Sequence, residues 1–158
     1  MGRFADAVTG PQLDLLLSGT RTTLLMAALS YLLAFAVGNV LAAARVSPVP
    51  VLSRFAAIYV SIFRNTPLIV LAFLFWYGGG RVGWPFDRLT TAIITLGLYT
   101  GAYIAESLRS GINAVPVGQA EAARAIGLPF TGVVGTIILP QAIRTVMPPL
   151  GNLWIANL

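Results

Sequence analysis

Few residues in this chain can do chemistry, and their types exclude most of it. Among 158 residues there is no cysteine and no histidine. That removes disulfides, thiolate or imidazole metal ligation, and any Cys/His or Ser/His/Asp catalytic apparatus. Neither a metal nor a cofactor is expected, and the chain reads as a non-enzyme. What remains is a set of isolated polar groups inside or beside apolar stretches: Arg64, Asn65, Thr66, Tyr99, Thr100, Tyr103, Glu106 and Arg144. Ionisable residues at membrane depth are functional candidates by default. An arginine facing a cavity would attract an acidic small molecule, so Arg64, Asn65, Thr66, Tyr99, Tyr103 and Arg144 form a candidate substrate path. A plainer reading stands beside it. Arg64 and Arg144 would snorkel or lie near helix ends, Glu106 and Arg109 would form an i,i+3 interfacial pair, and the tyrosines would simply pack.

The composition says where those groups sit. The chain is 57% hydrophobic and only 9% charged, against about a quarter charged in an ordinary soluble domain. Its mean hydropathy is +0.83. A single globular core of this size could not hide so much apolar surface, so lipid is the expected solvent. All ten basic residues are arginines, balanced by five acids. They are scattered singly, which favours topology signals or head-group contacts over nucleic-acid binding. The N-terminus lacks the basic-then-apolar order of a cleavable signal peptide.

Thr22 to Ala44 is free of charge and bracketed by Arg21 and Arg45. As a helix it measures about 34 Å, enough for a hydrocarbon core of about 30 Å. A second apolar stretch, 55–80, is interrupted by Arg64-Asn65-Thr66-Pro67, and Pro67 should kink it. Whether it spans with a polar break, or lies partly at the interface, is open. A third runs from Leu89 to Ala105, extended to about 107 by its polar end. Here Gly97, Gly101 and Ala105 make a small-residue stripe that lets another helix approach closely. The fourth, 130–156, is expected to be broken by Pro140, Arg144 and the pair Pro148-Pro149, behind an N-terminal segment 1–20 and a polar loop 110–130. The whole is expected to be one transmembrane domain, 1–158.

Within that polar loop, Gly111 and Pro116 are expected to end the preceding helix and Gly118 to let the chain turn. Strong helix formers follow from about Gln119 to Ile126, with Glu121 expected in the first turn. Gly127 stands where a left-handed cap stops a helix, and Pro129 prevents its resumption. So short a helix needs a docking surface, and its methyl side chains let a partner approach the backbone. An ordinary interfacial loop helix would fit the same physics.

Glu121-Ala122-Ala123, three residues, Gly127, nine residues, then Ile137-Ile138-Leu139-Pro140 resembles the EAA motif of permease subunits in ATP-binding-cassette (ABC) importers. Arg64-Asn65-Thr66-Pro67-Leu68, ESLRSGI from Glu106 to Ile112, Gly118-Gln119 and Leu139-Pro140-Gln141-Ala142 resemble its polar amino acid branch. Arg45-Val46-Ser47-Pro48, Leu98-Tyr99-Thr100 and AESLRSGIN are most similar to glutamate-uptake permeases. Relatives in that family continue with a Lys/Asn/Thr-rich stretch and a further helix, so a C-terminal helix is expected to be missing.

The resemblance implies an all-α integral membrane protein with the type I permease fold of ABC importers. About four transmembrane helices and a cytoplasmic coupling helix would lie in this stretch. It implies that Gln119, Glu121, Ala122, Ala123, Arg124 and Gly127 contact an ABC ATPase subunit, which alone hydrolyses ATP. The implied partners are that ATPase, a second permease (a copy or a relative), an extracytoplasmic amino-acid-binding protein and the lipid bilayer, with no nucleic acid. The implied location is the bacterial cell membrane, multi-pass, with the Arg45–Arg54 loop inside and the Gly80–Arg88 loop outside. The implied cargo is glutamate, with glutamine, arginine or another small solute as the alternative. A membrane-embedded enzyme, a channel and a non-transporting scaffold are the rival classes. The first has no catalytic group beyond Glu106 or a Ser/Arg arrangement, and the others have no use for the hinged helix.

Overall fold

The computed structural model describes residues 11–158; the first ten residues of the expected N-terminal segment lie outside the described residues. Helix α1, Pro11–Val46, has 36 residues and begins well before the expected span. Nothing between Gln12 and Arg21 breaks a helix. The hydroxyls of Ser18, Thr22 and Thr23 fold back onto carbonyls of the preceding turn, at 3.0, 2.9 and 3.0 Å, so polar side chains are absorbed without ending it.

A tight turn leads to α2, Pro50–Asn65, with Pro50 in the first turn, where its missing N–H costs nothing. The helix ends as Thr66 turns extended (φ −103°, ψ 127°) ahead of Pro67. Asn65 Nδ2 donates to the carbonyl of Ser61 at 2.8 Å, and Thr66 Oγ1 to that of Ile62 at 2.8 Å. These bonds occupy carbonyls that the halted helix leaves orphaned. Helix α3, Leu68–Arg81, departs at 103° to α2 and contains a π-helical turn, Leu74–Gly78. Gly83 carries a positive φ of +76° in the loop that follows. There the indole of Trp84 donates to Thr91 Oγ1 at 3.1 Å.

Asp87 caps α4, Arg88–Asn113, by accepting from the N–H of Thr90 at 2.9 Å. This 26-residue helix is the centre of the bundle. The glycine stripe acts as expected, and its partner is α1. A Cβ on Gly97 would lie 2.7 Å from Leu33 Cδ2, and one on Gly101 would lie 3.1 Å from Val37 Cγ1. The approach is mutual, because a Cβ on Gly38 would lie 2.5 Å from Ile104 Cγ2. Beside this seam, α2 packs through a small-residue cluster of Leu41, Ala56, Val60, Ala102 and Ala105. Tyr59 adds a hydrogen bond to the carbonyl of Leu98 at 3.0 Å.

Gly111 does not end α4, contrary to expectation. It is buried and faces α6, where a Cβ would stand 2.1 Å from Val146 Cγ1. The glycine is there for close packing, and the helix runs on to Asn113. Helix α5 is Val117–Ala125, and α6 is Phe130–Ala156, 27 residues with a π turn at Val133–Ile138. Pro148 and Pro149 lie inside α6 without interrupting it, correcting the expected break. Transmembrane helices tolerate proline because neighbouring groups re-satisfy the freed backbone. Pro140 and Arg144 do not break it either; Pro140 lies two residues past the π turn, where the regular ladder is already offset.

Among the described residues, two helices are long and apolar enough to cross a membrane, Gln12–Val46 and Phe130–Ala156, and the bent α2–α3 pair makes a third if it counts as one span. Helix α4 is more polar than these for a physical reason. Gly97 and Gly101 pack on α1, Gly111 on α6, Thr100 bonds Asn157 and Tyr103 lies beneath Arg64 of α2, so much of it is covered by protein and it need not be apolar all round. The outer surfaces are greasy in the way lipid demands: Leu15, Leu32, Phe55 and Phe130 are all about two-thirds or more exposed.

Candidate functional site

Two separate features gather the polar residues. The first surrounds Glu106, in the last two turns of α4. Arg109 donates to Glu106 Oε1 through Nε at 3.1 Å and also through Nη2. Arg45 Nη2, from the end of α1, lies 3.4 Å from Oε2, and Arg64 Nη1, from the end of α2, lies 3.9 Å from the same oxygen. One carboxylate therefore holds the ends of three helices. The Glu106–Arg109 pair expected from spacing is present, but it is the local part of a larger assembly.

Arg64 is the loosest member. Its side chain is 41% exposed, and its guanidinium lies over the Tyr103 ring, 5.3 Å from the centroid. Tyr103 shares a hydrogen bond with Tyr99 between their hydroxyls at 3.0 Å, and its hydroxyl reaches towards the Arg64 carbonyl at 3.4 Å. The tyrosines thus set the position of Arg64 as well as packing. Two cavities meet at this group. One, of about 570 Å³, lies between α4 and α6 and is lined by Ser107, Ser110, Thr145 and Asn152 among others. The other, of about 390 Å³, lies between α2 and α4 and is lined by Arg45, Ser61 and Asn65. Arg64, Tyr103 and Glu106 line both.

Of the six residues assigned to a substrate path, the structure brings together Arg64, Asn65, Tyr99 and Tyr103. Thr66 turns back on its own helix. Arg144 is exposed on α6 and lines neither cavity. Thr100 is buried elsewhere, its hydroxyl bonded to Asn157 Oδ1 at 3.1 Å. Arg45, Ser61 and Asn152 were missed by sequence reasoning. Arg45 looked like the bracket of a span, and no local spacing connects it to Glu106.

The second feature is α5. It begins at Val117, two residues earlier than expected, because Pro116 supplies the entry turn (φ −59°, ψ 132°) and Gly118 is helical. Glu121 consequently falls in the second turn, not the first. The stop is as expected. Gly127 adopts φ +84°, its N–H bonds the carbonyl of Arg124 at 2.9 Å, and the N–H of Leu128 bonds that of Ala123 at 3.1 Å. That pair of bonds is a Schellman motif, which requires the left-handed residue that glycine provides. Gln119, Glu121, Ala122, Arg124 and Gly127 are exposed, while Ala123 is 5% exposed. The helix rests on α6 near its π turn, and Gln141 Nε2 donates both to Gln119 Oε1 and to the carbonyl of Ile137 at 2.8 Å.

Residues 34–158 match the family of binding-protein-dependent transport system inner membrane components. This chain belongs to that family. It is 43% identical over 131 residues to a glutamate transport system permease protein of Corynebacterium efficiens, covering 75% of this chain and 58% of that one. It is 37% identical over 139 residues to a protein of Bacillus subtilis named as a probable glutamine ABC transporter permease, covering 88% and 64%. The chain thus spans about three-fifths of the length of these relatives. A solved amino acid ABC transporter with histidines superposes with a TM-score of 0.81 at 30% identity, over 94% of this chain and 72% of that one. The fold is therefore the all-α type I permease fold of ABC importers, and the chain is an integral membrane protein.

Proposed function

We propose that the chain is the permease subunit of an ATP-driven importer of polar amino acids in the bacterial cell membrane, with α5 as the coupling helix and glutamate as the cargo. The observation that carries this reading is the build of α5: nine residues, a proline hinge before it, a glycine stop after it, and an exposed face of Gln119, Glu121, Ala122, Arg124 and Gly127. A marginal helix with small side chains is suited to seating in the cleft of an ATPase subunit. Ala123, buried beneath it, takes the part of an anchor rather than a contact. Nucleotide binding closes the two ATPases, α5 moves with them, and α6 carries the displacement into the bundle through Gln119 and Gln141. Hydrolysis belongs to the ATPase partner. A second permease subunit and an extracytoplasmic amino-acid-binding protein complete the assembly.

In this reading residues 1–158 form one permease domain, with α5 cytoplasmic, the Arg45–Arg54 loop on the same side and the Gly80–Arg88 loop outside. The solute path runs through the cavities flanking Arg64 and Tyr103. Glutamine is the alternative cargo, favoured by the relative from Bacillus subtilis. The test is binding-protein-stimulated hydrolysis and uptake by the reconstituted complex. Gly127→Asp and Glu121→Lys are expected to abolish uptake while the protein stays in the membrane. Wild-type uptake with both variants would remove α5 from the coupling role.

A further inference from the structure

The charge balance around Glu106 is uneven. Three guanidinium groups, from Arg45, Arg64 and Arg109, converge on one carboxylate, leaving an excess of two positive charges. The other described acids, Asp14, Asp87 and Glu121, lie elsewhere on the chain. Arg109 donates hydrogen bonds to Glu106 through two nitrogens, and Arg45 is within ion-pair distance. Arg64 comes third. Among the described residues its guanidinium has only the 3.9 Å approach to Glu106 and the face of Tyr103, neither of which is a hydrogen bond. Its fork of donors is thus available.

Those donors face a cavity of about 390 Å³, within the size range of small-molecule sites, about 300–1,000 Å³. The cavity also holds the Ser61 hydroxyl, which accepts from Asn65 at 3.3 Å and so keeps its own proton to donate. We infer that Arg64, with Ser61 beside it, is a carboxylate seat that selects solutes carrying a side-chain anion, by taking the solute carboxylate in place of its loose pairing to Glu106. This rests on the permease reading and deepens it. The exchange conserves charge: the incoming carboxylate joins Arg64, and Glu106 retains Arg45 and Arg109. A solute with a neutral amide at the same place gains no ion pair. The preference therefore comes from the permease itself as well as from the binding protein.

The same chemistry would suit the phosphate of an anionic lipid, so the test has two arms. The complete transporter complex is placed in nanodiscs of phosphatidylcholine and titrated calorimetrically with L-glutamate, L-glutamine and glutarate. Glutamate and glutarate are expected to bind at least about tenfold more tightly than glutamine, a difference of about 1.4 kcal/mol. Arg64→Gln should erase that ratio, Arg64→Lys should retain part of it, and Arg144→Gln should leave it intact. Equal affinity for glutamate and glutamine in the wild type, or a ratio unmoved by Arg64→Gln, overturns the seat. The second arm repeats the titration in phosphatidylglycerol discs. Loss of glutamate binding there would assign the seat to a lipid head group and overturn the solute assignment. Nucleotide hydrolysis coupled through α5 is measured on the same samples. Coupling intact with no selectivity refutes the seat alone, whereas coupling insensitive to Gly127→Asp refutes the permease reading beneath it.

Discussion

Asn157 donates from Nδ2 to the backbone carbonyl of Ala27 across 3.0 Å, joining the residue that caps α6 to the middle of α1. The same amide donates to Ser30 Oγ at 2.8 Å, and its Oδ1 accepts from Thr100 Oγ1 at 3.1 Å. Asn157 is 5% exposed and Ser30 fully buried, so three helices share one dry polar knot. Tyr31 reinforces it, donating to the carbonyl of Leu150 at 2.9 Å with its ring edge-on to Trp154.

Asn157→Ala should therefore loosen α6 from both α1 and α4. Interhelical hydrogen bonds in membranes are worth about 0.6–2 kcal/mol, so the thermal midpoint in detergent should fall by about 2–6 °C. A midpoint unchanged within error would mean that the knot adds nothing to stability.

Close packing at Gly111 makes a sharper demand. Gly111→Ala should destabilise by about 1–3 kcal/mol, because the added methyl meets the stiff Val146 side chain and, at 3.2 Å, the carbonyl of Ala142. Adding Val146→Ala should recover part of the loss, seen as a positive coupling in a double-mutant cycle. Gly135→Ala, with nothing within 4 Å of its new methyl, is the control and should melt like the wild type.

The two glycines flanking the EAA segment should answer oppositely to alanine. At Gly127 there is room but the backbone is left-handed, at φ +84°, which costs an L-residue about 1–2 kcal/mol. Gly118 is helical and unobstructed, so alanine there should favour α5 by about 0.5–1 kcal/mol. Hydrogen exchange of the α5 amides should become faster in the first variant and slower in the second.

Removing the shared carboxylate should harm the bundle more than removing any one of its arginines. Glu106→Gln leaves three guanidinium groups facing one another and should cost about 1–3 kcal/mol. Arg64→Gln alone should cost under about 1 kcal/mol, since that pair is long and 41% exposed. Combining the two should bring the midpoint back above that of Glu106→Gln. A double variant less stable than both singles would mean that Arg64 is held by something other than charge.

Local chemistry was legible wherever it decides structure within a few residues. Gly127 before Leu128-Pro129 announced the end of α5, and Asn65-Thr66-Pro67 announced the bend after α2. Gly97 and Gly101 announced a close neighbour, though not that it would be α1. The failures have one cause, that glycine and proline carry two meanings. Gly111 and Gly118 looked like breaks, but the first serves close packing and the second lies within α5 without stopping it, and Pro148-Pro149 sit inside α6. The site was half legible for a related reason. Glu106 and Arg109 are three residues apart and visible as a pair, whereas Arg45 and Arg64 reach them only through the packing of α1 and α2 on α4. Arg144 matched its neighbours in chemistry alone, and its helix turns it away.

At Gly38 and Gly101 an added Cβ would lie 3.1 and 3.3 Å from a carbonyl oxygen of the facing helix, and at Gly97 the Leu33 side chain fills the space, which leaves α1 and α4 little slack to slide or rotate. Movement through the bundle must be accommodated where the chain is less tightly wedged, at the elbow of Thr66-Pro67 and along α6. The molecule thus has a keel and an arm. Under the proposed transport function, labels placed on α1 and α4 should keep their separation as the complex turns over, while labels on α3 swing against both.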